Sequence, residues 1–240
     1  MCHSTDSRPP APPVQGEVAS HEQFELTAAD GNRLMAYRAE PAEPNGRGMV
    51  ILPDVRGLHP FYRDLAVRFA EAGFRTIAID YFGRTAGIGD RGDDFDFMTH
   101  VNQIAHDGVR ADVKAATAEL GGGPVFTTGF CMGGALSWQH AAEGNGLSGG
   151  IGFYGALRFI EEPKSGPGAP LLLLRGGADN VSTPEEFAAY EAALDRVGTE
   201  HETHLYEGAP HSFFDRTYGE WAEVCQDAWR QILSFTERHS

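Results

Sequence analysis

The sequence predicts an α/β fold, a mostly parallel sheet with antiparallel N-terminal strands and helices on both faces. Three observations lead there. Short apolar runs of strand length recur between segments with helical apolar spacing. Those runs are apolar at nearly every position instead of alternating, as strands covered on both sides must be. The residues able to do chemistry fall just beyond the ends of the runs, where open sheets of this kind hold their ligands.

The elements follow in order. Residues 23–27 and 33–38 flank an Asp30-Gly31 turn and predict an antiparallel hairpin. After a polar linker with Pro41 and Pro44, residues 49–52 are a buried strand, and 62–72 place Leu65, Phe69 and Ala72 at helical spacing. Residues 74–79 are the next strand. The Gly- and Asp-rich stretch 83–96 is too long for an ordinary connection and reads as a lid or a mobile segment. A helix over 100–120 stops at Gly121-Gly122-Gly123-Pro124. Strand 125–128, helix 133–142, strands 149–154 and 170–174, helix 184–197, strand 202–206 and an amphipathic helix over 218–236 complete one domain, 22–240. Residues 1–21, with Pro9, Pro10, Pro12 and Pro13, predict a disordered Pro-rich tail.

Charge narrows the function. Against 19 Lys and Arg stand 34 Asp and Glu, a net charge of −15, which repels phosphate backbones and anionic lipid surfaces and argues against nucleic-acid and membrane partners. No apolar run reaches the ~18–20 residues of a membrane span. The first residues lack the apolar core of a secretory signal, so a cytoplasmic location is expected. Cys2, Cys131 and Cys225 form no CxxC pair, which signals neither a disulfide framework nor a zinc knuckle. His201 and His204 lie three apart on a strand and point to opposite faces, so they predict no metal site. His59, His100, His106 and His140 read as surface or helix-end residues. Phosphate-loop and dinucleotide fingerprints are missing, and no cofactor is expected.

The strongest local signal is Gly129-Phe130-Cys131-Met132-Gly133-Gly134, between a strand and a helix. It has the G-x-nucleophile-x-G spacing of the nucleophile elbow, with Cys in place of the commoner Ser. Small neighbours are needed because the turn is strained and tightly approached, and the helix N-terminus behind it favours a thiolate. Two later strand ends deliver Asp179, in Gly176-Gly177-Ala178-Asp179-Asn180, and His211, in Gly208-Ala209-Pro210-His211-Ser212-Phe213. The chain order nucleophile, acid, base is the one an α/β-hydrolase fold requires. Cys131 would attack a carbonyl carbon, His211 would carry the proton, and Asp179 would fix the imidazole. The expected oxyanion donors are the backbone N–H groups of Met132 and of Val55, in Pro53-Asp54-Val55-Arg56-Gly57.

These segments together resemble the dienelactone hydrolase family over about residues 22–236. The resemblance implies hydrolysis of a small ester or lactone through a cysteine acyl-enzyme, with carboxymethylenebutenolidase as the named reaction. It implies that Asp54, one methylene shorter than the family's usual Glu, modulates the resting thiol. It further implies arginines that hold a substrate carboxylate. Arg84 and Arg91 are the lid candidates, among Asp90, Asp93, Asp94 and Asp96, while Asp215 occupies the place of the second arginine and Arg216 is displaced by one. Phe82, Phe97, Met98, Tyr154, Phe213 and Phe214 offer an apolar lining instead. With the net charge, these departures favour a neutral ester or lactone. The alternatives are an acyl transferase and, from another class, a non-catalytic thiol redox sensor or ligand-binding module.

Overall fold

The computed structural model describes residues 6–92, 94–215, 217 and 219–240. β1 (Val18–Thr27) and β2 (Arg33–Pro41) form the expected hairpin, closed where Gly31 adopts φ +85° and Ala28 N–H donates to Asn32 O at 2.8 Å. β3 (Gly48–Leu52), β4 (Arg75–Ile79), β5 (Val125–Phe130), β6 (Gly149–Phe153), β7 (Leu171–Gly176) and β8 (His201–Tyr206) complete an eight-stranded sheet in the order β1-β2-β4-β3-β5-β6-β7-β8. The β1/β2 and β2/β4 pairs are antiparallel and the rest parallel. The central strands β3, β5 and β6 are buried at every position, which is why their sequences do not alternate.

Helices cover both faces. α1 (Pro60–Glu71) begins with Pro60 in the first turn, where the missing N–H costs nothing. α6 (Pro184–Val197) begins with a reciprocal Thr183–Glu186 capping box and ends at Gly198 in the left-handed region. α1 and α7 (Ala222–Arg238) meet through Phe69 and Trp229, ring centroids 4.8 Å apart. On β5, Phe126 packs against Phe235 of α7, while the next residue, Thr127, bonds Ser137 of α5 (Met132–Ala142). Successive strand residues point to opposite faces, so α5 and α7 cover opposite sides of the sheet.

Several expectations need correction. The 83–96 stretch contains a helical turn, α2 (Gly83–Ala86), and the 100–120 helix divides into α3 (Phe97–Val101) and α4 (His106–Leu120) around residues 102–105. His140 is fully buried in α5 and His59 caps α1, so neither is a surface histidine. The described part of the Pro-rich segment, residues 6–17, is not a loose tail. Pro9, Pro10 and Pro12 are buried, Trp229 Nε1–H donates to Pro10 O at 3.2 Å, and Gln226 Nε2–H donates to Ala11 O at 3.1 Å. Proline is compatible with this docking because it pre-sets an extended backbone with little entropy left to lose. Among the described residues no helix is long and apolar enough to cross a membrane.

Candidate active site

β5 runs into α5 through Cys131, whose backbone sits at φ +54°, ψ −114°. A β-carbon disfavours this region, and the surroundings hold it: Cys131 N–H donates to Phe153 O at 3.0 Å, and Cys131 O accepts from Ala156 N–H at 3.0 Å. A β-carbon on Gly129 would lie 2.0 Å from Gly133 O, and one on Gly133 would lie 2.1 Å from Leu52 O. The flanking glycines are therefore demanded by backbone contact between the elbow, the first turn of α5 and the end of β3.

The other two members arrive at the same sheet edge. Asp179 follows β7, where its Oδ1 accepts from Val181 N–H at 2.8 Å and its Oδ2 lies 2.8 Å from His211 Nδ1. The two loops are tied by Ala178 N–H donating to Ala209 O at 2.9 Å. His211 rests on the ring of Tyr154 at a centroid distance of 4.8 Å. Tyr154 lies between Phe153 and Ala156, the residues bonded to Cys131, and donates its own N–H to Leu174 O at 2.8 Å. A continuous frame thus links elbow, acid loop and base loop. The positive-φ non-glycine residues among those described are Cys131, Tyr154 and Ser212. All three lie in this frame, and such strain tends to collect at functional sites.

β3 pairs with β5 so that Leu52 faces Gly129, and the carbonyls of Leu52 and Pro53, which lead into the loop carrying Val55, lie against Gly133 in the first turn of α5. Asp54, in the same loop, is fully buried. Its Oδ1 accepts from Arg56 N–H at 2.9 Å and from Arg56 Nε at 3.1 Å, and its backbone N–H donates to the Tyr62 hydroxyl at 3.0 Å. Burial works against the Arg56 charge, but the adjacent Asp54 carboxylate prevails and holds that guanidinium protonated. Burial and the Asp54 carboxylate together push the Tyr62 hydroxyl well above its ordinary range.

Residues 34–240 match the Dienelactone hydrolase family. The chain belongs to the dienelactone hydrolase family. The Escherichia coli (strain K12) protein named "Putative carboxymethylenebutenolidase" is 28% identical to it, over 90% of this chain and 86% of that protein. The carboxymethylenebutenolidase of Rhodococcus opacus is 26% identical, over 100% of this chain and 97% of that protein. The crystal structure of the "Putative Dienelactone Hydrolase" of Klebsiella pneumoniae subsp. pneumoniae MGH 78578 aligns with a TM-score of 0.74 at 25% identity, over 91% of this chain and 99% of that one. The fold is the α/β-hydrolase fold, and the chain is a hydrolase of the carboxylic-ester class.

In this dienelactone hydrolase family member the candidate substrate arginines are engaged elsewhere. Arg84 lies 2.7 Å from Asp30 and 2.8 Å from the buried Asp112, pinning α2 to the β1–β2 turn and to α4. Arg91 is 5% exposed, lies 2.9 Å from the buried Asp80 after β4, donates to Gly87 O at 2.5 Å, and covers the Phe95 ring at 4.9 Å. Burial raises the Asp80 carboxyl to about 6, against the pull of Arg91. Met98 is 62% exposed on α3. Tyr154 and Phe213 are fully buried: they pack on each other, centroids 5.4 Å apart, and form core behind His211 rather than an open lining. Arg216, like Cys2 and Asp93, lies outside the described residues.

Sequence reasoning missed Arg56 and the Asp80–Arg91 pair. Arg56 was legible in principle, since a cation two residues from a buried acid in a tight turn folds back onto it. Asp80 and Arg91 carry no local signal, because their partnership depends on how the lid segment drapes over the β4 end.

Proposed function

We propose that this family member hydrolyses a small, uncharged ester or lactone through an acyl-thioester on Cys131. The carrying observation is the 2.8 Å contact between His211 Nδ1 and Asp179, in loops tied to the frame that holds Cys131 on its strained elbow. Cys131 sulfur attacks the carbonyl carbon while His211 Nε2 takes the thiol proton, and Asp179 stabilises the imidazolium through Nδ1–H. Backbone N–H groups of Met132 and Val55 hold the developing oxyanion. His211 returns the proton to the leaving alkoxide, which departs as the alcohol from an ester and stays on the acyl group as a free hydroxyl when a lactone ring opens. Water, deprotonated by His211, then attacks the thioester and releases the acid with the thiol restored. Asp54, clamped by Arg56, sets the charge state of the resting thiol.

A neutral substrate follows from charge. The net charge is −15, and Arg56, Arg84 and Arg91 each already pair with a carboxylate. An incoming substrate carboxylate would have to displace one of those partners in a repulsive field. Turnover of a chromogenic acetate ester is compared with turnover of neutral and carboxylate-bearing butenolides, in wild type and Cys131→Ala. Neutral substrates should be preferred and the variant inactive. Equal turnover by the variant excludes the cysteine mechanism, a steep gain from an added carboxylate excludes the substrate reading, and labelling of Cys131 without turnover points to a thiol sensor. For Asp54, Asp54→Asn should move the pH at which an alkylating reagent labels Cys131, and an unmoved profile makes Asp54 structural.

A further inference from the structure

The loop bearing His211 is held from behind as well as through Asp179. Ser212 sits at φ +69°. Phe213 packs on Phe153, Tyr154 and Tyr206 at centroid distances of 6.1, 5.4 and 5.2 Å. Phe214 packs on Phe153 at 4.4 Å and on Trp229 at 5.8 Å. The loop then reaches Asp215, which is fully buried. Asp215 Oδ1 accepts from Arg8 N–H at 3.1 Å and from Thr217 N–H at 2.9 Å. Arg8 belongs to the proline-rich segment that lies on α7, with Ser7 fully buried beside it and Pro10 O accepting from the same Trp229 that supports Phe214. One side chain, Asp215, and one indole, Trp229, therefore join the N-terminal segment to the base loop. A non-glycine residue at positive φ persists only where its surroundings over-determine it, and Ser212 is the residue directly after His211.

We propose that residues 7–11 act as a strap that positions His211, through the Arg8 N–H bond to Asp215 and the Pro10 contact with Trp229. Asp215 is a positioning residue: its Oδ1 holds the backbone N–H groups of Arg8 and Thr217 and acts on His211 through the loop. The proposal rests on the reading of His211 as the catalytic base. It assigns work to an N-terminal segment that precedes residue 34, where the family match begins. Extended backbone carrying Pro9, Pro10, Pro12 and Pro13 suits the task, because a pre-ordered strap loses little entropy on docking.

The test uses the full chain and separates a backbone donor from a side chain. Arg8→Pro deletes the N–H that reaches Asp215, whereas Arg8→Ala keeps it. Asp215→Ala removes the acceptor, whereas Asp215→Asn keeps an acceptor oxygen. Small displacements of a catalytic group cost up to about 100-fold in rate. Arg8→Pro and Asp215→Ala should therefore lower kcat about 10–100-fold with KM within about twofold, and Arg8→Ala and Asp215→Asn should stay within about threefold of wild type. The low-field proton resonance of His211 Nδ1–H, hydrogen-bonded to Asp179, should broaden or shift in the first two variants only. Unchanged kcat and an unchanged resonance in folded Arg8→Pro overturn the strap. So does a loss equal in Arg8→Pro and Arg8→Ala, or one that tracks the unfolded fraction alone. The resonance reads the geometry whether or not Cys131 is the nucleophile. Failure of the cysteine mechanism, seen as full activity in Cys131→Ala, is thus distinguishable from failure of the strap.

Discussion

Two stretches of the sheet's carboxyl edge use charged side chains differently. Beyond β5, β7 and β8, Cys131, Asp179 and His211 are brought into one frame by short strand-end loops. Beyond β3 and β4, and along the segment that follows, Arg56, Arg84 and Arg91 are each taken by a carboxylate: Asp54, Asp112 and Asp80. The first stretch carries the triad we propose, whereas the arginines of the second hold loops in place. An arginine in a lid is thus no sign of an anion site until its partners are known, and in a chain this acidic a partner is close at hand.

Substitutions can break that contrast. The largest effect is expected at His211: His211→Ala should lower kcat at least about 10³-fold with little loss of stability. A similar melting loss with preserved kcat would move His211 to the structural side. Asp80→Ala leaves Arg91 buried without its partner and should cost about 3–5 kcal/mol in denaturant unfolding. pH sharpens this. An acid whose folded pKa is raised binds its proton more tightly when folded, so its stabilisation is complete below the unfolded value of about 3.9 and is lost as pH rises through the folded value. With Asp80 at about 6, its share of stability should fall between about pH 4 and pH 6. Asp80→Asn should flatten the stability curve in that window, and a curve of unchanged slope would mean Asp80 does not titrate there. Arg84→Ala should cost about 3 kcal/mol by removing the charge partner of the buried Asp112, which retains the Asn32 amide at 3.1 Å, with kcat/KM unchanged for neutral and anionic esters alike. A drop confined to anionic esters would return Arg84 to the substrate. Met98→Ala should change stability by less than about 0.5 kcal/mol and leave KM unaltered, since its side chain is mostly in solvent.

The first stretch was legible in the sequence for a physical reason. Parallel strands buried on both faces write continuous apolar runs, and the elbow demands glycine where backbones approach to 2.0–2.1 Å of a would-be β-carbon. Asp179 and His211 follow from strand order alone. The sequence also placed α6 over residues 184–197, the bounds the helix has. What failed depends on partners distant in sequence. Arg84 meets Asp112, Arg91 meets Asp80, and Pro10 meets Trp229 across 219 residues. A proline-rich composition resembles disorder until two hydrogen-bond donors on α7, the Trp229 indole and the Gln226 amide, give it somewhere to lie. His140 read as a surface residue, yet α5 is buried along its whole length, and such a helix has no polar face to reveal its orientation.

The central claim is that Cys131 becomes acylated and that His211 and Asp179 drive the turnover. The most direct measurement is intact-mass spectrometry of acid-quenched protein during the first turnover of a chromogenic acetate ester. One acetyl group should appear on the peptide containing Cys131 and decay at the steady-state rate. In His211→Ala its formation should be slowed at least about 10³-fold. Full ester turnover with no adduct at Cys131, or an adduct that never hydrolyses, would contradict it.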